Sequence, residues 1–288
     1  MKKAYGQQKK FTKKTLELLK HIDEIINSYM ERGMSITVRQ VYYQCVTQNF
    51  IKNSQEEYKK IVDRIRDGRF SGLLDLDAIE DRTRYQRGNV HWSSPRAIIR
   101  AAAEQYKINT RATQPYYIEC WIEKDSLISI LEDCCIELDV PCFSCRGFVS
   151  ATALHDAAER FKNSDKRNII LYAGDHDPSG LLIPEKVSEY LGMFGADVEL
   201  KRIGITREQI SELNLPPFPA KEQDSNYKRY VEKTGLKSAW ELDALPPEKL
   251  INIFSENIKA LTDFSELLKM RELEKQDKTY FNKILASA

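Results

Sequence analysis

Between residues 115 and 204 the chain alternates short apolar runs with longer amphipathic ones, and few folds accommodate that order. PYYIECWIEK, VPCFSC, NIILYAG and DVELKRIG read as strands, while DSLISILEDCCIEL, SATALHDAAERF and LLIPEKVSEYLGMF between them read as helices. The alternation predicts an α/β fold, a parallel sheet flanked by helices, whose ligands sit beyond the carboxyl ends of the strands. Three carboxylates fall on that edge: Glu123 after the first strand, and Asp175 and Asp177 after the third, in YAGDHDPSG. If the extended conformation continues past the third strand, Asp175 and Asp177 point to one side and His176 to the other. Pro178 suits the first turn of the next helix, and Gly180 lets the backbone turn closely. Two readings of this stretch stand side by side. Asp177 caps the helix and Asp175 is a solvated turn residue, or the two carboxylates, which repel at close range, share a hard divalent cation such as Mg²⁺ or Mn²⁺. Glu123, brought to the same edge from a separate segment, favours the cation.

The charge is unevenly spread. Residues 1–111 hold 22 Lys and Arg against 13 Asp and Glu, and residues 112–288 hold 22 against 30, so a net +9 half precedes a net −8 half. A basic module beside a metal-binding one suggests a polyanion substrate. Residues 1–14, with six lysines and no acid, read as a basic arm. An amphipathic helix is predicted from Thr15 to Arg32 with Gly33 as its stop, a second within Ser35–Gln48 capped by Thr37, and a third from Ser54, with Ser54 and Glu57 in capping-box spacing and Gly68 at its end. Tyr58, Ile61, Val62 and Ile65 form the third helix's apolar face, and Lys59, Lys60, Arg64, Arg66 and Arg69 cover much of the rest. Three short helices followed by the extended FSGLLDLDAIEDRTR is the order of a winged helix, so residues 15–90 are expected to bind double-stranded DNA. Residues 91–115 form a connector helix begun by Ser94 and Pro95, and 211–288 an irregular and helical extension. Asp224, Glu241 and Asp243 lie in that extension, within reach of the site but unplaced. Arg146, at the end of the second strand on the carboxylate edge, is a candidate DNA contact, and Lys124 is either a phosphate contact or a surface lysine.

The remaining features are blander. Cys142 and Cys145 have the spacing of a zinc site, but three residues apart on a strand they face opposite sides, so buried free thiols are expected, as for Cys134 and Cys135 on a helix. His21, His91 and His155 are isolated and read as structural. No apolar run approaches membrane-span length and the N-terminus lacks the apolar centre of a signal peptide, which leads to the expectation of a cytoplasmic protein.

Glu123-Lys124 at a strand end followed by Asp175-His-Asp-Pro-Ser-Gly180 resembles the TOPRIM signature, and Thr37-Val-Arg39-Gln-Val-Tyr42-Tyr43 resembles the winged-helix motif of the topoisomerase VI A subunit and the related meiotic double-strand-break protein. Together these cover roughly residues 30–210. The resemblance implies a TOPRIM domain over 116–210, Mg²⁺ on Glu123, Asp175 and Asp177, Tyr43 as nucleophile, Arg39 at the scissile phosphate or orienting the tyrosine, and an ATPase partner subunit. The segments RIGITREQI, NLPPFPAK and WELDALPP look more like stand-alone phage- and plasmid-type relatives and the nuclease subunit of the Wadjet plasmid-defence system. There the same carboxylates are thought to hydrolyse DNA with water, and Tyr43 would be structural. Since one site cuts one strand, a double-strand break implies a homodimer.

Overall fold

Three helices form the front of the computed structural model, which describes residues 9–31, 36–79, 89 and 91–287. They are α1 (Lys13–Met30), α2 (Val38–Thr47) and α3 (Gln55–Phe70), each started by a capping side chain. Thr12 accepts the Thr15 N–H, and Thr37 and Gln40 form a complete capping box. Ser54 accepts the Glu57 N–H, but its own N–H goes to the Tyr42 hydroxyl at 2.8 Å, not to Glu57. α1 begins before Thr15, so Lys13 and Lys14 of the expected arm are helical. Gly68 is no stop. It sits inside α3 where that helix crosses α1, and a Cβ there would lie 2.8 Å from Leu19. Val62, expected inside, is exposed, while Ile61 and Ile65 are buried. A parallel bridge joins Ile36 to Ile79. Gly33, residues 1–8 of the arm and residues 80–88 of the expected wing lie outside the described residues. A fourth helix, α4 (Pro95–Gln105), starts on Ser94 as expected.

The alternating segment forms a four-stranded parallel sheet of β1 (Tyr116–Ile122), β2 (Cys142–Ser144), β3 (Arg167–Ala173) and β4 (Val198–Gly204), in the order β2-β1-β3-β4. β1 and β3 pair from Tyr116 with Arg167 to Ile122 with Ala173. Their side chains alternate between two cores, which is why both read as nearly unbroken apolar runs. Ile118, Cys120, Ile122, Ile169 and Leu171 enter one core with α5 (Ile128–Glu137); Trp121, Ile170 and Tyr172 enter the other with α6 (Ala151–Lys162) and α7 (Ile183–Met193). The first core runs on without a break into the buried faces of α1, α2 and α3. α7 starts at Ile183 with Pro184 in its first turn; Pro178, expected there, lies in the turn before it. Cys142 packs toward the first core and Cys145 into the second, and all six cysteines are free thiols.

Beyond β4 the chain is more ordered than its sequence suggests. α8 (Arg207–Glu212) leads to an antiparallel pair, β5 (Phe218–Pro219) and β6 (Ser238–Ala239), with α9 (Tyr227–Thr234) between them. A single 3₁₀ turn, Leu242–Ala244, follows and packs on α2. α10 (Pro247–Ala260) and α11 (Phe264–Ser287) follow, separated by a short break after Ala260. Among the described residues no helix is long and apolar enough to cross a membrane.

Candidate functional site

The site is assembled where β1 and β3 run out. Glu123 donates its N–H to Ala173 O at 2.9 Å, and its Oε2 accepts the Asp175 N–H at 2.9 Å. His176 exchanges both backbone bonds with Trp240, at 2.8 and 3.1 Å. That bridge pins His176 beside Trp240. The imidazole is buried edge-on against Tyr230 and Trp240, its Nδ1 paired with the Tyr230 hydroxyl at 3.1 Å, and both aspartates lie near enough to Glu123 for their charges to interact. Asp177 also serves as a local cap, since its Oδ1 accepts the Gly180 N–H at 2.6 Å. The turn-capping role and the cluster therefore coexist.

Two glycines make this approach possible. A Cβ on Gly174 would lie 2.6 Å from Glu123 Oε2, and one on Gly180 would lie 2.3 Å from the backbone oxygen of Asp175. Gly180→Ala should therefore destabilise the protein by about 1–3 kcal/mol, because the obstacle is backbone and cannot rotate away. A denaturant melt checks this; unchanged stability would mean that the turn relaxes freely. Arg202 on β4, which has no role in the sequence reading, fixes the same loop. Its guanidinium donates to the carbonyls of Gly174 (2.7 Å), Asp175 (2.7 Å), Gly180 (3.1 Å) and Ile205 (3.1 Å). The only signal for it was an arginine near a strand's carboxyl end.

Lys124 is neither a surface lysine nor a free phosphate contact. Its ammonium lies 2.9 Å from Asp175 Oδ1 and 2.8 Å from Asp243 Oδ2, and it also bonds Glu241. Burial disfavours its charge, yet the three carboxylates push its pKa well above the usual lysine value. Glu241 and Asp243 reach this point because the Trp240–His176 bridge and the Leu242–Ala244 turn hold them against β3. Asp175 Oδ1 accepts the Leu242 N–H at 2.6 Å in the same place. Asp224 stands apart, accepting from the Ser179 hydroxyl at 2.7 Å.

From the other side, α2 brings Arg39 and Tyr43. Arg39 is 2.9 Å from Glu241 and 3.4 Å from Asp243, with its side chain partly exposed, and Glu241 and Asp243 outweigh burial to hold it charged. Tyr43 is buried beside it; burial, then the Glu241 charge, push its phenol up from the ordinary tyrosine range. Of the basic residues of α3, Lys60 pairs with Glu56 and Glu57, and Arg66 with Asp63 and Asp67. Arg69 binds the carbonyls of Leu76 and Ile79. Lys59 and Arg64 have no salt-bridge partner among the described residues. Arg146 is on the carboxylate edge, exposed, and 3.0 Å from Asp125.

The carboxylates of this cluster are crowded and poorly solvated. Burial raises the pKa of Glu123, Asp175 and Asp177, and mutual repulsion within the cluster adds to it. Among the described residues no three His, Cys, Asp or Glu side chains are already gathered as a bound metal requires; Lys124 fills the middle of Asp175, Glu241 and Asp243 instead. Glu123, Asp175 and Asp177 offer only carboxylate oxygens, the donor type a hard divalent ion takes, and beside them Asp243 Oδ1 is buried with no hydrogen-bond partner among the described residues.

His176 gives the site a pH signature. Burial pushes its imidazole down from 6.5 to about 4. Above the higher value it is neutral whether folded or unfolded. As the pH falls, the unfolded chain takes up the proton first, so its stability contribution is lost progressively until both states are protonated, by about 3 kcal/mol in all. Denaturant melts across this range should show the loss, and His176→Gln should flatten it; parallel curves would contradict it.

No family model matches the chain, and no curated protein matches it at a significant level.

Proposed function

We propose that the chain is a divalent-metal-dependent DNA-cleaving enzyme, a winged helix joined to a TOPRIM domain, that cuts by hydrolysis. The observation that carries this reading is the meeting of Glu123, Asp175 and Asp177, from two strand ends, with Arg39 from the basic helical module at one cluster. Glu123, Asp175 and Asp177 would hold Mg²⁺ or Mn²⁺, which when bound neutralises charge on a phosphodiester and acidifies water. Arg39, partly exposed and held by two carboxylates, would orient a phosphate. Arg202 keeps the aspartate loop in shape by tying down its carbonyls. Water is preferred to Tyr43 as the attacking group because burial and Glu241 oppose ionisation of that phenol.

A tyrosyl transesterase is the second reading, favoured by one observation: Tyr43 contacts Arg39 and lies beside Glu241 on the wall of an open cavity. A binding-only protein would gain from fewer carboxylates facing phosphate, so the cluster speaks against it. A double-strand break would take two copies.

Supercoiled plasmid distinguishes these readings. With Mg²⁺ or Mn²⁺ the protein should nick it, leave no protein on 5′ ends, and cut at an unchanged rate as Tyr43→Phe. Covalent attachment with an inactive Tyr43→Phe would shift the reading to the transesterase. No nicking with either metal would sink both.

A further inference from the structure

A cavity of about 590 Å³ opens between α2, the start of α3 and β5, and reaches the carboxylate cluster at Arg39 and Glu241. Its volume lies within the roughly 300–1,000 Å³ usual for small-molecule sites. Two kinds of side chain line it. Tyr58 and Phe218 present half-buried aromatic rings, with Tyr43 behind them. Lys59 and Lys221 stand exposed at the rim, and neither has a salt-bridge partner among the described residues. Lys221 is also close enough to feel the charges of Asp177 and Glu241, so the rim and the cluster are continuous.

Aromatic rings beside unpartnered cations recognise a nucleotide: the rings stack on a base and the ammonium groups pair with backbone phosphate. A base within a duplex has both faces covered by its neighbours and cannot enter such a pocket; it must first be unstacked. We propose that this cavity receives one unpaired nucleotide of DNA next to the scissile bond, its base on Tyr58 and Phe218 and its backbone between Lys59 and Lys221. The inference rests on the DNA-cleavage reading and narrows it: the substrate is DNA that is locally unpaired.

The test is equilibrium binding of the full chain in EDTA, where no cutting intervenes. A duplex, the same duplex with a central mismatched bubble, and the single strand are compared by fluorescence anisotropy. The bubble should bind about tenfold tighter than the duplex. Tyr58→Ala and Phe218→Ala should erase that preference and leave duplex affinity unchanged. Tyr58→Leu retains more of the packing against the Tyr42 ring if the alanine variant does not fold. Replacing exposed Lys59 and Lys221 together by alanine should reduce the slope of log K against log salt on single strands by about 1.4. Equal wild-type affinity for bubble and duplex, or a preference that survives in folded aromatic variants, overturns the pocket while leaving the DNA reading intact. Failure to bind any DNA overturns both. Binding of a free nucleoside monophosphate without a bubble preference assigns the cavity to a small nucleotide and overturns the proposal.

Discussion

Lys124→Met should melt roughly 8 °C below the wild type in EDTA and regain most of that loss in millimolar Mg²⁺. Methionine keeps the length of the side chain and removes only the charge. The ammonium it replaces contacts Asp175, Glu241 and Asp243, and it is largely shielded from water. Removing one member of a buried ion cluster costs about 3–5 kcal/mol, because the opposite charges stay behind uncompensated. For a chain of this size each kcal/mol is worth about 2 °C. A divalent cation that binds the folded state alone restores stability by mass action. The deficit should also shrink as the pH falls, since carboxylates that have lost their cation can protonate instead. An unchanged melting temperature in EDTA would show that the ammonium does not hold the cluster together. A loss that Mg²⁺ fails to relieve would place the cation elsewhere.

Asp175→Asn should cut DNA about 10³-fold more slowly than the wild type and fold almost as well. Its amide oxygen can still accept the Leu242 N–H, and Lys124 keeps Glu241 and Asp243 as partners. What is lost is a negative ligand. Charge stabilisation by a bound metal is worth several kcal/mol in the transition state, and about 1.4 kcal/mol is a factor of ten. Plasmid nicking rates and thermal melts, measured on the same preparation, separate the two effects. A variant that keeps more than about a tenth of the activity would remove Asp175 from the cation's ligands.

The sheet was legible because its signals are local. Apolar runs bounded by turn residues gave all four strands. The convergence of Glu123 with Asp175 and Asp177 followed from the carboxyl-edge rule. Lys124 was not legible, because its partners Glu241 and Asp243 lie 117 and 119 residues further on. Those two acids are placed by two-residue strands and a single bridge, too short to leave any periodicity. Gly68 misled because a glycine near a helix end marks either a stop or a close crossing, and only the neighbouring helix decides. Much of the basic face of α3 is neutralised within the helix itself. Glu56, Glu57 and Asp63 stand three or four residues before Lys60 and Arg66, the spacing at which helical charges neutralise one another.

Whether the carboxylate edge of the sheet is a divalent-cation site can be decided by titration with Mn²⁺ followed by electron paramagnetic resonance. The wild type should bind Mn²⁺ saturably and in competition with Mg²⁺, with affinity lowered at least about tenfold in both Asp175→Asn and Asp177→Asn. Wild-type protein that takes up no Mn²⁺ saturably, or binding undiminished in the two variants, would contradict a cation site there.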